Sequence, residues 1–159
     1  MTDTVTAYDS KADTLEHIRR VNDLLLTVCH GLLLRAKIHD NSKLSEPEKS
    51  TFDACTLKLK AMAYGSPEYK AALAELKPAL DHHYAANSHH PEHYASGVDG
   101  MSLFDVVEML MDWKAATERM QNGGDIWRSL QINAERFRLS PQLLSILENT
   151  AREMGWAKK

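Results

Sequence analysis

The sequence has few of the features that mark a membrane protein, a disulfide-stabilised protein or a nucleic-acid-binding protein. Its 159 residues include two cysteines, Cys29 and Cys55, which is too few for a disulfide framework and is typical of a reducing cytosol. The most apolar run, residues 24–34, is too short to span a bilayer. The net charge of −3 lacks the basic surplus of proteins that bind nucleic acids or membrane surfaces. Because the N-terminus has no signal-peptide pattern, we expect a cytoplasmic protein.

Several catalytic motifs are also missing. The sequence has no glycine-rich phosphate loop, no serine nucleophile elbow and no setting that would activate a cysteine. With 43% hydrophobic residues the chain is rich enough in apolar side chains to fold. Its length suits one domain over residues 1–159, of which residues 1–9 are expected to form a flexible N-terminal tail.

Helix signals dominate the chain, and no stretch alternates as a strand would. The candidate helix starts are Ser10, Ser45 (with Glu48 as a capping box), Ser66-Pro67, Ser102 (with Asp105) and Ser140-Pro141. Pro78 should kink or divide the third segment. We therefore predict an all-α fold with five to seven helices. In the last third, we expect core packing by Leu130, Ile132, Phe137, Leu139 and the later leucines.

What the sequence does contain is an excess of histidine. There are eight histidines, and five lie in residues 82–93. Pro91 disfavours helix at the residue before it, so His82-His83 and His89-His90 would flank a chain reversal and point imidazoles into one site. We interpret this segment as a metal-binding or phosphate-binding site in which His93 is a bystander.

A second candidate is the pair His39-Asp40 at the end of an apolar helical run. Imidazole nitrogen and carboxylate oxygen together suit divalent transition metals. His17 could join the pair only if the helix folds back, because a straight helix would hold His17 and His39 about 33 Å apart. We expect a hinge at His30-Gly31 that permits this, with His30 in a core or capping role.

Three acidic residues, Asp105, Glu108 and Asp112, share one face of a strongly apolar helix. Carboxylates in such a helix need cationic or metal partners. We expect Asp105 to cap the helix, Glu108 to pair with an arginine or lysine, and Asp112 to be a metal ligand.

The order of His17, His39-Asp40 and Asp112 on helices resembles the HD-domain superfamily of metal-dependent phosphohydrolases. The string His39-Asp40-Asn41-Ser42-Lys43 is similar to the His-Asp-x-Gly-Lys of that superfamily, with serine in the position where glycine is common. The chain is similar, more closely, to a family of small uncharacterised bacterial and phage proteins. The matching strings over residues 14–150 are HDxSK (39–43), HHxxxNxHH (82–90) and EMxxDW (108–113).

This resemblance implies a single compact HD-like helical domain that hydrolyses a small phosphate ester, most simply a nucleotide or deoxynucleotide. The implied metal ligands are His17, His39, Asp40, His83, His89, His90 and Asp112, for one or two ions of Mn, Co, Ni, Fe, Zn or Mg. Lys43 would offset negative charge, and Glu46 or a spare histidine would be the general base. Asn87 would bind substrate or fix a histidine, and Lys114 would bind substrate. A homodimer is a further expectation from the superfamily. The alternatives are a non-catalytic helical metal-binding or interaction protein and an HD-type di-iron oxygenase.

Overall fold

The computed structural model describes residues 8–61, 67–119 and 124–156. Contacts divide the chain into two units, Met1–Lys37 and Ile38–Lys159, and each is described by itself below. The described residues form six α-helices and no strand, which confirms the predicted all-α fold and helix number. None of these helices is long and apolar enough to cross a membrane. Most of the expected tail, residues 1–7, lies outside the described residues.

The first unit is a single helix, α1 (Lys11–Ile38), whose last residue already belongs to the second unit. It begins after Ser10 as predicted, but the expected hinge is wrong, because α1 runs unbroken through His30 and Gly31. One glycine inside a helix costs only about 1 kcal/mol, and the neighbouring leucines are good helix formers. His30 is exposed on α1, so its predicted core or capping role is also wrong.

The second unit contains the other five helices. These are α2 (Glu48–Ala61), α3 (Pro67–Ala86), α4 (Leu103–Glu118), α5 (Ile126–Phe137) and α6 (Pro141–Glu153). Short 3₁₀ helices lie at Asn41–Leu44, Pro91–His93 and Gly97–Gly100. The predicted start of α4 is confirmed as a capping box between Ser102 and Asp105. Ser140 likewise caps α6 by accepting a hydrogen bond from the Leu143 amide.

Pro78 was predicted to kink or divide this segment, and it does not divide α3. The helix packs along α2 and buries Leu76, Ala79 and His83 on either side of the proline. We infer that this burial holds the two halves of α3 as one helix although the proline cannot donate its backbone hydrogen bond.

The core of the second unit lies among α4, α5 and α6. Its buried residues are Met109, Leu110, Trp113, Ile126, Trp127, Leu130, Leu147 and Ala151. The predicted core role of Ile132 is wrong, since this side chain is exposed. One face of α4 packs into this core. The Glu108 and Asp112 carboxylates of α4 lie outside the core and contact histidines of other segments.

Candidate metal centre

Six predicted ligands from three segments of the second unit come together. His39 and Asp40 follow α1, His83 lies on α3 with His89 and His90 after its end, and Asp112 lies on α4. The local backbone explains this placement. Asp40 has φ +56°, a left-handed conformation that aspartate tolerates better than most residues, and it turns the chain into the 3₁₀ helix. His90 is extended before Pro91, as predicted.

The side chains present Nε2 and carboxylate oxygen atoms to one another at short range. Asp40 Oδ1 lies 3.2 Å from His83 Nε2 and 3.4 Å from His89 Nε2, and the Nε2 atoms of His83 and His90 are 2.9 Å apart. His39 Nε2 lies 3.6 Å from Asp40 Oδ2 and 3.7 Å from Asp112 Oδ1. Ligands about 2.1 Å from one ion lie roughly 3.0–3.4 Å apart, which is close to these separations.

These atoms form two groups that share Asp40. The histidine-rich group consists of Asp40, His83, His89 and His90, and the carboxylate-rich group consists of His39, Asp40 and Asp112. In each group the ligand atoms lie within 4.8 Å of one another, so each could hold a metal ion. Asp40 turns Oδ1 towards the histidine-rich group and Oδ2 towards His39.

Two buried atoms test whether a cation fits here. Asp40 Oδ1 and His89 Nε2 find no hydrogen-bond partner in the described part of the chain, although they lie 3.4 Å apart. Leaving such atoms unsatisfied costs about 1–3 kcal/mol each. A divalent cation would satisfy both, because a carboxylate oxygen and an imidazole nitrogen are both metal ligands. The donor set therefore fits a metal.

Glu108 contacts two histidines, which were not predicted as its partners from the sequence. Its Oε1 lies 2.8 Å from His39 Nδ1 and 3.1 Å from His89 Nδ1. Together with these histidines it forms a third set of metal-ligating type. The contacts are on the Nδ1 side of each ring, opposite the Nε2 atoms that face Asp40.

Glu48 is the residue that sequence reasoning missed. Its side chain is fully buried, with Oε1 2.7 Å from His82 Nδ1 and Oε2 2.9 Å from His83 Nδ1. Ser42 also donates to Oε2. Our capping-box interpretation of Ser45-x-x-Glu48 gave this carboxylate a backbone role, which is wrong. The available signal was that two adjacent histidines on α3 require acceptors.

The electrostatics of the cluster favour a cation. The Asp112 carboxylate, together with Glu108 and Asp40, raises the pKa of His39 to about 9 against the effect of burial. Burial alone would raise the pKa of Asp40, but the neighbouring His83 and His89 rings and the Lys43 ammonium hold it well below its usual range. Burial acts to raise the pKa of Asp112, but the neighbouring His39, His89 and His90 together lower it. Burial, with the charges of His89 and His83, lowers the pKa of His90 to about 3, which leaves a neutral imidazole, the form that binds metals.

The cluster has a closed side and an open side. The side chains of His83 and His89 are 1% and 2% exposed, whereas those of His39 and Asp112 are 30% and 28% exposed. Lys43 stands at the open side, with Nζ 2.6 Å from Asp40 Oδ2 and over the ring of Phe52. A small anionic molecule could reach the cluster from this side.

The remaining predicted residues lie in other surroundings. Glu46 is exposed and accepts a hydrogen bond from Ser50, so it does not face the histidines. Lys114 pairs with Glu118 and lies over the ring of Trp156. His17 is exposed on α1 and belongs to none of the metal-capable groups found among the described residues. Without the hinge, the fold-back on which its assignment depended is absent.

Asn87 supports the cluster instead of facing a substrate. Its side-chain nitrogen donates to Ser42 Oγ and to the His83 carbonyl, both at 2.8 Å. His93 is exposed, with Nδ1 3.0 Å from the Tyr84 carbonyl, which agrees with the predicted bystander.

A comparison with known proteins gives a family for the chain. Residues 6–153 match the family described as "Family of unknown function (DUF5662)". No curated protein and no solved structure matches the chain. Because the match spans nearly all of the sequence, this protein belongs to the family of unknown function DUF5662.

Proposed function

We propose that this protein is a metal-dependent phosphohydrolase that acts on a small phosphate ester, most simply a nucleotide or deoxynucleotide. The observation that carries the proposal is the convergence of six histidine and aspartate ligands on a cluster with one open side. A structural zinc site usually contains cysteines and is closed. This cluster contains no cysteine among its ligands and is open beside a lysine.

The donor set favours transition metals over magnesium. Four imidazoles with two carboxylates suit Mn, Fe, Co, Ni or Zn, whereas Mg prefers an all-oxygen shell. We propose two ions, one for each group, with Asp40 contributing to both. When bound, the metal supplies a hydroxide-like nucleophile near neutral pH and polarises the phosphoryl oxygen.

The protein's own residues supply binding and charge. Lys43 offers a positive charge at the open side, where it would hold a substrate phosphate. The buried rings of His83 and His89 exclude water from the closed side. The general base that we expected at Glu46 is not retained, because that carboxylate lies on the surface. Lys114 is not retained as a substrate contact, because its ammonium is paired with Glu118.

The test is to measure bound metal in the purified protein and then to assay nucleotides and generic phosphoesters with added Mn, Co, Ni, Zn or Mg. We expect bound transition metal and phosphate release. Asp40→Ala should lose both, since Asp40 belongs to both groups. The matched control is Asp53→Ala, which removes an exposed aspartate that pairs with Lys49 on the same helix and should retain both.

Each other outcome has a defined meaning. A wild-type protein that binds no metal, and whose Tm does not change on adding metal, contradicts the proposal. Bound metal without turnover favours a non-catalytic metal-binding protein. Oxygen consumption with iron, without phosphate release, favours an oxygenase.

A further inference from the structure

We propose that Glu108 and Glu48 are positioning residues, which fix the proton of neighbouring histidines on Nδ1 and thereby turn Nε2 towards the metal. This inference rests on the metal centre proposed above. It assigns to each glutamate a task that the ligand set alone does not explain.

Each glutamate faces the Nδ1 atom of a histidine. A neutral imidazole has one N–H donor and one acceptor nitrogen, and an ionised carboxylate only accepts. Glu108 Oε1 lies 3.1 Å from His89 Nδ1, and Glu48 Oε2 lies 2.9 Å from His83 Nδ1. Asp40 Oδ1 lies farther from the opposite Nε2 atoms, at 3.2 Å for His83 and 3.4 Å for His89, so we place the proton of each ring on Nδ1. The opposite Nε2 of each ring keeps its lone pair, and that lone pair is what a metal binds.

His83 Nδ1 lies closer to Glu48 Oε2, at 2.9 Å, than to Ser42 Oγ, at 3.2 Å, and Ser42 itself donates to Glu48 Oε2. Asn87 lies 3.0 Å from His83 Nδ1, but its donors are taken by Ser42 and by the His83 carbonyl. Glu48 also contacts His82 Nδ1 at 2.7 Å and Ser42 Oγ at 3.1 Å through its two carboxylate oxygens. A fully buried carboxylate is stable only with such partners.

The two glutamates differ in which ligands they serve. Glu108 contacts His39 of the carboxylate-rich group and His89 of the histidine-rich group through the same oxygen. Glu48 contacts His83 of the histidine-rich group, and its other histidine, His82, belongs to neither group. Loss of Glu108 should therefore weaken both groups, whereas loss of Glu48 should weaken the histidine-rich group alone.

The first test needs neither metal nor activity. Long-range ¹H–¹⁵N spectra of the metal-free protein at mildly alkaline pH report which nitrogen of each neutral histidine is protonated. We expect Nδ1–H for His83 and His89 in the wild type. Glu48→Ala should change the tautomer of His83 but not that of His89, and Glu108→Ala should do the reverse. Nε2–H tautomers for both rings in the wild type would overturn the inference.

The second test measures Co²⁺ binding by absorption spectroscopy. Removing a partner of a metal-bound histidine typically lowers metal affinity by about 10–100-fold, and we expect this from Glu108→Ala with an altered Co²⁺ spectrum. Glu108→Gln should restore part of the affinity, because its single carbonyl oxygen can replace the one oxygen that contacts both rings. The matched control is Glu118→Ala, an exposed carboxylate on the same helix, which should bind Co²⁺ as the wild type does.

The outcomes separate this inference from the proposed function. Folded alanine variants of both glutamates with wild-type Co²⁺ spectra and affinity would contradict the positioning role. If an alanine variant fails to fold, the glutamine variants decide the question, because they preserve side-chain size. If the wild-type protein binds no metal, the proposed function fails, and the tautomer spectra still decide whether the glutamates orient the rings.

Discussion

Asp105 is a buried carboxylate that ties the start of α4 to the loop after α3. It accepts hydrogen bonds from Ser88, Tyr94 and the backbone and hydroxyl of Ser102, at 2.6–2.9 Å. Because hydrogen bonds to a charged group contribute about 1.5–3 kcal/mol each, we expect Asp105→Asn to lower the free energy of unfolding by about 2 kcal/mol or more. Urea denaturation of the two proteins measures this difference.

The stability that Asp105 contributes should also depend on pH. Hydrogen bonds from Ser102 and Ser88 outweigh burial and hold the pKa of Asp105 well below its usual range. A carboxyl whose pKa is lower in the folded state stabilises the fold above its unfolded pKa of about 3.9, and this stability is lost as the pH falls towards the folded pKa. The difference between wild type and Asp105→Asn should therefore be constant near neutral pH and should shrink below about pH 4. A difference that persists unchanged into strong acid would contradict this assignment.

Among the helices, α6 begins with a side-chain cap from Ser140. Ser140 Oγ accepts from the Leu143 amide at 3.2 Å, and Pro141 occupies the first turn. Replacing an N-cap serine with alanine typically costs about 1 kcal/mol, so Ser140→Ala should lower stability by that amount in chemical denaturation. Ser145→Ala is the control, because Ser145 is exposed within α6 and donates only to a helix carbonyl. Equal losses in the two variants would show that the cap does not stabilise α6.

For the helices, sequence patterns correctly predicted the features that depend on neighbouring residues alone. The starts of α4 and α6 followed from serine caps and proline, and the extended conformation of His90 followed from Pro91. The hinge at Gly31 was wrong because a single glycine is a weak breaker inside a leucine-rich helix. Pro78 did not divide α3 because packing against α2, which a sequence pattern does not reveal, outweighs the local cost.

For the whole second unit, metal binding should stabilise the fold, because the ligands come from three separate segments. A ligand that binds only the folded state adds about 2.7 kcal/mol at about 100 times Kd. We expect Zn²⁺ or Mn²⁺ to raise Tm and a chelator to reverse the rise. Asp112→Ala, which removes a ligand from the carboxylate-rich group, should show a smaller rise, and Asp53→Ala should match the wild type. A metal-induced rise of equal size in Asp112→Ala would exclude Asp112 as a ligand.

The candidate site was predictable where its residue types are distinctive and close in sequence. His39-Asp40, His83, His89-His90 and Asp112 could be predicted as one site because histidine is rare and metal ligation constrains its neighbours. Glu48 was not assigned to the site, because a glutamate three residues after a serine is also common at the start of ordinary helices. Its partners lie 34 and 35 residues away on α3, and only the packing of α2 on α3 brings them together.

The unequal exposure of the two groups has a consequence for how quickly bound ions would exchange. Around the histidine-rich group, His83 and His89 are closed off from solvent, whereas His39 and Asp112 of the carboxylate-rich group meet it. For the proposed pair of ions, a chelator would therefore strip the solvent-facing ion first and produce a half-loaded protein. Preparations that differ only in dialysis time would then differ in metal content, so metal stoichiometry must be measured on the same sample as any assay.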